Sequence, residues 1–252
     1  MPSPGPDGKA RAHEGAITVV EHAARTDVGR EREGNEDSYL ERPPLFAVAD
    51  GMGGAAAGEI ASGILVETLS AAYDAGGMPD ALAAAIQEAN GDIHSRARSD
   101  RELAGMGTTV TAAWVGDATL TIAHVGDSRC YRFRDGRFEQ LTDDHSLVGG
   151  LVRLGELTKA EAERHPQRSV ILRAVGVEAQ VEVDVIEEEL VDGDVYLICS
   201  DGLSGMVRDE VLEETLRAGA ETPSTAEMLI DLANECGGHD NITAVLFRIG
   251  RA

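Results

Sequence analysis

The chain has 252 residues, of which 42% are hydrophobic and 27% are charged, so it can form a sizeable core and is not expected to be disordered. Its 22 lysines and arginines stand against 45 aspartates and glutamates, which gives a formal net charge of −23 at pH 7. A charge this negative disfavours binding to nucleic acid or anionic lipid, because proteins bind both mainly through cations placed on phosphate.

Residues 1–14 are rich in proline, glycine and charge, and we predict a flexible N-terminal tail followed by one domain over residues 15–250. The tail has no apolar stretch of the kind that a signal peptide needs. No later window approaches the roughly 18 apolar residues that cross a membrane. We therefore expect a cytoplasmic protein with no membrane partner.

Strands and helices are predicted from the period of the apolar residues. The predicted strands, in chain order, are residues 17–25, 45–49, 108–115, 118–125, 130–134, 181–186, 195–199 and 242–249. The predicted helices are residues 60–74, a segment beginning near Pro79, a polar segment at 145–165, residues 208–216, and residues 223–236 with Thr222 as N-cap. Helices come in pairs and strands in runs, which predicts an α+β fold with antiparallel sheets covered by helices.

Four of these strands carry an aspartate at one end: Asp50, Asp127, Asp201 and Asp240. A single aspartate before glycine is usually a turn former. Several carboxylates that meet at one sheet edge repel one another unless a cation holds them. A ligand set that contains oxygen atoms and no histidine or cysteine favours Mg²⁺ or Mn²⁺ over Zn²⁺.

A pair of acids, Glu36 and Asp37, follows the first strand, and Arg32 lies five residues before Asp37. Two divalent cations about 3.5–4 Å apart activate a water and orient displacement at phosphorus. The guanidinium of Arg32 offers a bidentate contact to phosphate, with a solvated surface arginine as the alternative.

The three cysteines, Cys130, Cys199 and Cys236, are far apart, and we expect each to be a buried small apolar residue. None is followed by an arginine six residues later, so a cysteine phosphatase is not indicated. The two lysines lie outside any P-loop pattern, which excludes a P-loop nucleotide site.

Six motifs in order resemble those of the metal-dependent protein serine/threonine phosphatases of the 2C class, over residues 17–249. They are Arg32-x-x-Asn35-Glu36-Asp37, VADGMGG at 48–54, GTT at 107–109, VGDSR at 125–129, CSDGL at 199–203 and HDNIT at 239–243. The resemblance implies a four-layer αββα sandwich, in which two stacked antiparallel β-sheets are flanked by helices. It also implies two Mn²⁺ or Mg²⁺ ions and a weaker third.

The resemblance assigns the ligands of these ions. Asp50 would bridge two ions, and the Gly51 carbonyl would bind one of them. Asp201 and Asp240 would complete the shell of the other ion. Glu36 and Asp37 would act through metal-bound waters, and Asp127 would hold the third ion together with Asp201. Arg32 would bind the substrate phosphate. Ser169 would lie near the third ion, in a flap that includes residues 165–169.

One position departs from the eukaryotic members, which have a histidine after Asp-Gly that is suspected of protonating the leaving group. This chain has Met52, as bacterial members commonly do, and a thioether cannot donate a proton. The group that protonates the leaving group is then a metal-bound water or another group, or no such group is present. His145 and His239 lie near motifs, and we expect structural or surface roles for both. The chain resembles the minimal, stand-alone bacterial type.

We expect a monomeric enzyme that hydrolyses phosphoserine and phosphothreonine in proteins, with phosphorylated proteins, including serine/threonine kinases, as its partners. Every metal position of the family pattern is occupied, which favours an enzyme over a catalytically weak member that only binds phosphopeptides or kinases. A sigma-factor pathway, with an anti-sigma antagonist as substrate, is an alternative setting. A two-metal nuclease is disfavoured by the charge and by the lack of a basic groove.

Overall fold

The computed structural model describes residues 15–53, 57–218 and 221–252, so the predicted tail at 1–14 lies outside the described residues. The strands are β1 (Ile17–Asp27), β2 (Asp37–Arg42), β3 (Leu45–Met52), β4 (Gly107–Thr108), β5 (Val110–Val115), β6 (Thr119–Val125), β7 (Arg129–Arg134), β8 (Arg137–Gln140), β9 (Asp184–Glu189), β10 (Val195–Cys199) and β11 (Ile242–Arg251). The helices are α1 (Ala57–Asp74), α2 (Leu82–Ser99), α3 (Leu147–Arg153), α4 (Lys159–Ala162), α5 (Asp201–Ser204), α6 (Asp209–Arg217) and α7 (Thr222–Glu235).

The strands form two antiparallel sheets. The first sheet has the order β1-β11-β10-β7-β8, and α7 packs on its β1 and β11. The second has the order β2-β3-β5-β6-β9, with β4 paired to β3 and α1 packed on β3 and β2. This arrangement confirms the predicted four-layer αββα sandwich.

Strand β3 shows why an uninterrupted apolar run forms the centre of this fold. Its side chains alternate between two cores. Leu45, Ala47 and Ala49 pack beneath α1 and α2, whereas Phe46 and Val48 face the other sheet. The ring of Phe46 stacks on that of Phe247 from β11, with centroids 4.4 Å apart. A strand buried on both faces needs apolar residues at every position, which is the pattern of residues 45–49.

Several local predictions are wrong. Strands β2 and β8 were not predicted, because each is short, lies beside a tight turn and has mostly polar side chains. The strand expected at 181–186 is β9, three residues later, because Val181 packs into the core under the helices instead.

Three predicted helices also differ from the structure. The segment at 145–165 is split into α3 and α4, with Gly155 at a φ of 73° between them. The helix expected to begin near Pro79 begins at Leu82. The N-cap of α7 is Glu221 and not Thr222, which is already the first helical residue. In the described part of the chain, no helix combines the length and the hydropathy that a bilayer crossing requires.

Candidate active site

The β2–β3 hairpin brings two of the predicted acids together. Asp37 and Asp50 are directly opposite one another in the register of these strands. Residues opposite each other in an antiparallel pair project from the same face of the sheet. The Gly51 amide also donates a hydrogen bond to the Glu36 carbonyl, at 3.2 Å. The acid pair and the Asp-Gly motif, at the two ends of this hairpin, therefore share one edge.

The other three predicted aspartates come from separate connections. Asp127 follows β6, Asp201 begins α5 directly after β10, and Asp240 lies just before β11. The pKa of Asp50 lies well above its ordinary value, first because the carboxyl is withdrawn from water and then because four other aspartates, these three and Asp37, place negative charge around it. The fold thus collects all five predicted aspartates at one edge.

Two of these carboxyls are deeply buried and incompletely paired. Asp37 Oδ1 and Asp127 Oδ1 have no hydrogen-bond partner among the described residues. Burial raises the pKa of Asp37 to about 7, against hydrogen bonds from Thr243 and Ser200 that lower it. Burial, followed by the charge of Asp201, raises the pKa of Asp127 to about 8. Both carboxyls resist ionisation in a site that offers them too few donors.

Hydroxyls hold the other oxygen of Asp37. Ser200 Oγ donates to Asp37 Oδ2 at 2.8 Å, and Thr243 Oγ1 donates to the same oxygen at 2.6 Å. Sequence reasoning assigned no role to either hydroxyl. The signal was present, because Ser200 lies in CSDGL and Thr243 in HDNIT.

The GTT motif secures the main chain of Asp50. The Thr109 amide and the Thr108 hydroxyl both donate to the Asp50 carbonyl, at 2.9 and 3.0 Å. The Asp50 amide in turn donates to Thr109 Oγ1 at 3.1 Å. These three bonds fix the direction in which the Asp50 carboxyl points, which the sequence alone did not reveal.

Close packing explains the glycines that follow two of the aspartates. A Cβ on Gly51 would lie 2.2 Å from the Gly58 carbonyl oxygen, and one on Gly202 would lie 2.0 Å from the Asn241 carbonyl oxygen. Real Cβ atoms do not approach backbone this closely, so any side chain at these positions would displace the neighbouring chain. Both Asp-Gly motifs therefore hold their aspartates against the rest of the site.

Arg32 and Glu36 lie at the open side of the edge. Arg32 Nη2 donates to Asp240 Oδ2 at 2.7 Å, and the arginine side chain is about half exposed. The pKa of Arg32 is raised: burial acts to lower it, but the attraction of Asp240, Glu36 and Asp50 outweighs that effect. Burial also raises the pKa of Glu36, whose amide donates to Asn241 Oδ1 at 2.8 Å.

Ser169 and the two histidines occupy the surroundings of the edge. Ser169 is exposed and lines a cavity of about 580 Å³ together with Asp127, Asp201 and Asp240. It has no hydrogen bond to these carboxyls among the described residues. His145 is buried, and its Nδ1 accepts a hydrogen bond from the Gly126 amide at 3.0 Å, so it supports the loop that carries Asp127. His239 is exposed and pairs with Glu31.

The prediction that all three cysteines are buried is confirmed for two of them. Cys130 and Cys199 are buried, and burial raises the pKa of the Cys199 thiol to about 12. The expectation is wrong for Cys236, which is exposed because it caps the C-terminus of α7 before the Gly237-Gly238 turn. None of the three lines the cavity beside the aspartates.

The donor set of this edge fits a hard divalent cation. All of its side-chain donors are carboxylate oxygens, and two buried carboxylate oxygens lack a partner among the described residues. In residues 15–53, 57–218 and 221–252, no group of three or more acidic, histidine or cysteine side chains is already arranged to hold a metal ion. Instead, Asp240 Oδ2 is paired with Arg32, and the neighbouring carboxylates repel one another.

Comparisons with known proteins agree with this geometry. The family described as Protein phosphatase 2C matches residues 30–236. The serine/threonine phosphatase stp of Listeria innocua is 42% identical over 234 residues, which cover 88% of this chain and 93% of that protein. The crystal structure of the Mycobacterium tuberculosis serine/threonine phosphatase PstP/Ppp superposes with a TM-score of 0.86 at 41% identity, covering 94% of this chain and 100% of that one.

A second solved structure is the catalytic domain of the serine threonine protein phosphatase PstP in complex with two manganese ions. It has a TM-score of 0.85 and 39% identity, and it covers 93% of this chain and 99% of that chain. The family match extends over most of the sequence, and the fold and the motif positions agree with it. The chain therefore belongs to the protein phosphatase 2C family of phosphoprotein phosphatases.

Proposed function

We propose that this chain hydrolyses phosphoserine and phosphothreonine in proteins with the help of two divalent cations, Mn²⁺ or Mg²⁺, bound at the carboxylate edge. The observation that carries the proposal is the convergence of five aspartates at one edge, two of them with a buried oxygen that has no hydrogen-bond partner among the described residues. Further support comes from the family and from the two manganese ions in the PstP structure.

Asp50, the Gly51 carbonyl, Asp201 and Asp240 would hold the two cations, with Glu36 and Asp37 acting through bound waters. When bound, such a pair of cations makes a water nucleophilic near neutral pH and orients an in-line displacement at phosphorus. Asp127, with Asp201, would hold a weaker third ion, and Ser169 lies on the same cavity.

Arg32 would place the substrate phosphate at this edge. Its contact with Asp240 uses one terminal nitrogen, Nη2, which leaves Nη1 and Nε to donate to phosphate oxygens. Asp240 thus orients the guanidinium toward the acids and does not consume all its donors. Met52 cannot donate a proton to the leaving group, and no other side chain is assigned that role.

In the cell, we propose a cytoplasmic, monomeric enzyme whose partners are phosphorylated proteins, including bacterial serine/threonine kinases. Relatives named as serine/threonine phosphatases in Listeria innocua and Mycobacterium tuberculosis support phosphorylated proteins as the partners. Phosphoproteomics of a deletion strain identifies the substrates directly. Accumulation of phosphate on kinase activation segments is the expected result.

The biochemical test is turnover of a phosphothreonine peptide by the purified chain in Mn²⁺, in Mg²⁺ and in excess EDTA. Activity that needs added cation and vanishes in EDTA is expected. Asp117→Asn, at an exposed turn between β5 and β6, is a matched control that should behave as the unaltered chain. Full turnover in excess chelator would contradict the proposed chemistry.

A further inference from the structure

We infer that the cavity beside the carboxylate edge binds the part of a phosphopeptide next to its phosphorylated residue, and that it prefers acidic side chains there. This inference rests on the proposed function and specifies its substrate class. The cavity measures about 580 Å³, which lies within the range of pockets that hold a ligand of a few residues. It is continuous with the edge, because Asp127, Asp201 and Asp240 line it.

The first observation is where the unpaired cations lie. Half of the described arginines and lysines make no ion pair with a carboxylate in the described part of the chain. Half of that set line this one cavity: Arg153, Lys159, Arg164, Arg168 and Arg208. In a chain with a net charge of −23, such a concentration does not follow from composition.

The second observation is that these cations come from two separate segments of the chain. Four of them belong to the segment from α3 to residue 168, and Arg208 lies on the turn before α6. Arg164, Arg168 and Arg208 are exposed, so their guanidinium groups remain hydrated and available. A peptide segment lying in the cavity would meet cations from both segments.

The cavity's own acids offset only part of this charge. Asp144 is paired with Arg129, and the three further carboxylates of Asp143, Glu163 and Asp209 stand against the five cations. Asp127, Asp201 and Asp240 belong to the edge, where the bound cations of the proposed function would offset them. What remains is a positive surface directly beside the position of the phosphorylated residue.

Charge complementarity therefore favours an acidic peptide segment as the occupant of the cavity. Acidic residues beside the phosphorylated residue of the substrate are attracted by these cations, whereas basic residues there are repelled by them. The rest of the protein surface is strongly negative and repels acidic peptides, so these cations are needed to admit one. Each contact between an exposed cation of the cavity and a carboxylate of the substrate is weak and is screened by salt.

The test is a set of phosphothreonine peptides that differ only in flanking glutamate, glutamine or lysine. We expect the Mn²⁺-loaded chain to hydrolyse the glutamate peptide with a kcat/KM about 5- to 10-fold above that of the glutamine peptide, with the lysine peptide lowest. The difference in kcat/KM between the glutamate and glutamine peptides should become smaller at high NaCl concentration. Equal kcat/KM for the three peptides, or a preference for lysine, would overturn the inference.

Two variants separate the cavity from the overall charge. Arg164→Glu combined with Arg208→Glu should remove the preference for glutamate. Arg98→Glu combined with Arg137→Glu changes the net charge equally at exposed positions outside the cavity and should retain it. Loss of the preference in both pairs would show a general field effect and contradict the cavity assignment.

Two further readouts keep this inference distinct from the proposed function. Hydrolysis of p-nitrophenyl phosphate, which has no peptide residues beside its phosphate, should be unchanged in both double variants. Fluorescence anisotropy of the labelled peptides measures the preference by binding, without turnover. Binding that prefers glutamate with no hydrolysis of any substrate would contradict the proposed function alone, and hydrolysis with no preference would contradict the inference alone.

Discussion

Arg32 Nη2 donates a hydrogen bond to Asp240 Oδ2 at 2.7 Å, which joins the proposed phosphate-binding residue to a proposed metal ligand. The two residues are 208 positions apart in sequence and meet because the loop after β1 lies against the start of β11. Both side chains are partly exposed, so the pair can be remodelled when a cation or a phosphate arrives. It places the guanidinium at the mouth of the acidic edge.

The first prediction concerns Arg32. Arg32→Ala should lower kcat/KM for a phosphopeptide by about 10- to 100-fold, because it removes a charge-assisted contact worth roughly 1.5–3 kcal/mol. Arg32→Lys should recover only part of this loss, since an ammonium keeps the charge and loses the fork. Steady-state kinetics beside calorimetric Mn²⁺ titration decides the matter. Abolished Mn²⁺ binding, or an unchanged kcat/KM, would show that Arg32 does not bind phosphate.

The second prediction concerns the hydroxyl that holds Asp37. Thr243→Val keeps the shape of the side chain and removes its 2.6 Å bond to Asp37 Oδ2. Partners of metal-ligand residues typically contribute about 10- to 100-fold in affinity, so Mn²⁺ affinity should fall by that order. Thr215→Val is the matched control and should leave Mn²⁺ affinity unchanged, because the hydroxyl of this buried threonine donates to the Val211 carbonyl within α6. Equal Mn²⁺ affinities in the two variants would remove Thr243 from the site.

The third prediction is a pH dependence of the metal-free protein. The pKa of Asp37 rises from 3.8 to about 7 on folding, and that of Asp127 from 3.8 to about 8. Between these limits the folded chain retains protons that the unfolded chain has lost, so the free energy of unfolding falls as pH rises. In EDTA, Tm should therefore decrease from about pH 5 to pH 8, by several degrees for each kcal/mol lost.

Added Mn²⁺ should reverse this trend, because a cation binds the deprotonated carboxylates and its affinity rises with pH. The measurement is thermal unfolding from pH 5 to 8 with EDTA or with Mn²⁺. The gain in Tm from Mn²⁺ should be largest at the high end of the range. A Tm in EDTA that climbs steadily toward pH 8 would show that these buried carboxyls do not titrate as described.

The fourth prediction concerns the cysteines. Burial raises the pKa values of the Cys130 and Cys199 thiols far above neutrality, so neither is a nucleophile at pH 7. Iodoacetamide should alkylate Cys236 alone, and the alkylated protein should keep its rate per folded molecule. Peptide mapping by mass spectrometry, with activity assayed on the same sample, checks this. A phosphocysteine adduct or stoichiometric inactivation would contradict hydrolysis by water.

The α+β class and the aspartates at the ends of strands could be predicted from the residues themselves, because the apolar period marks where each strand stops. The four-layer arrangement was implied by the resemblance to the 2C-class phosphatases. The apolar run at residues 45–49 ends at Asp50, and the fold then decides which face each residue takes. Strand β2 could not be predicted in this way, since its half-exposed residues give no clear period and β3 supplies its pairing. Tertiary contact therefore determined the elements that propensity left undefined.

In the site, too, some residues could be predicted from the sequence and others could not. The aspartates were identifiable because the ends of several strands carried the same residue type. The hydroxyls of Ser200 and Thr243 were not, because their role depends on Asp37 arriving from 163 and 206 residues away. The pairing of Arg32 with Asp240 was likewise hidden, since no local pattern records a contact across the whole chain.

The central claim is that the carboxylate edge binds two divalent cations, and calorimetric titration of Mn²⁺ into the metal-free chain at neutral pH tests it most directly. We expect at least two Mn²⁺ per chain, and we expect Asp50→Asn to lose both tight sites, since Asp50 would hold both ions. The control Asp117→Asn should bind as the unaltered chain does. A single Mn²⁺ per chain, or undiminished binding in Asp50→Asn, would contradict the account.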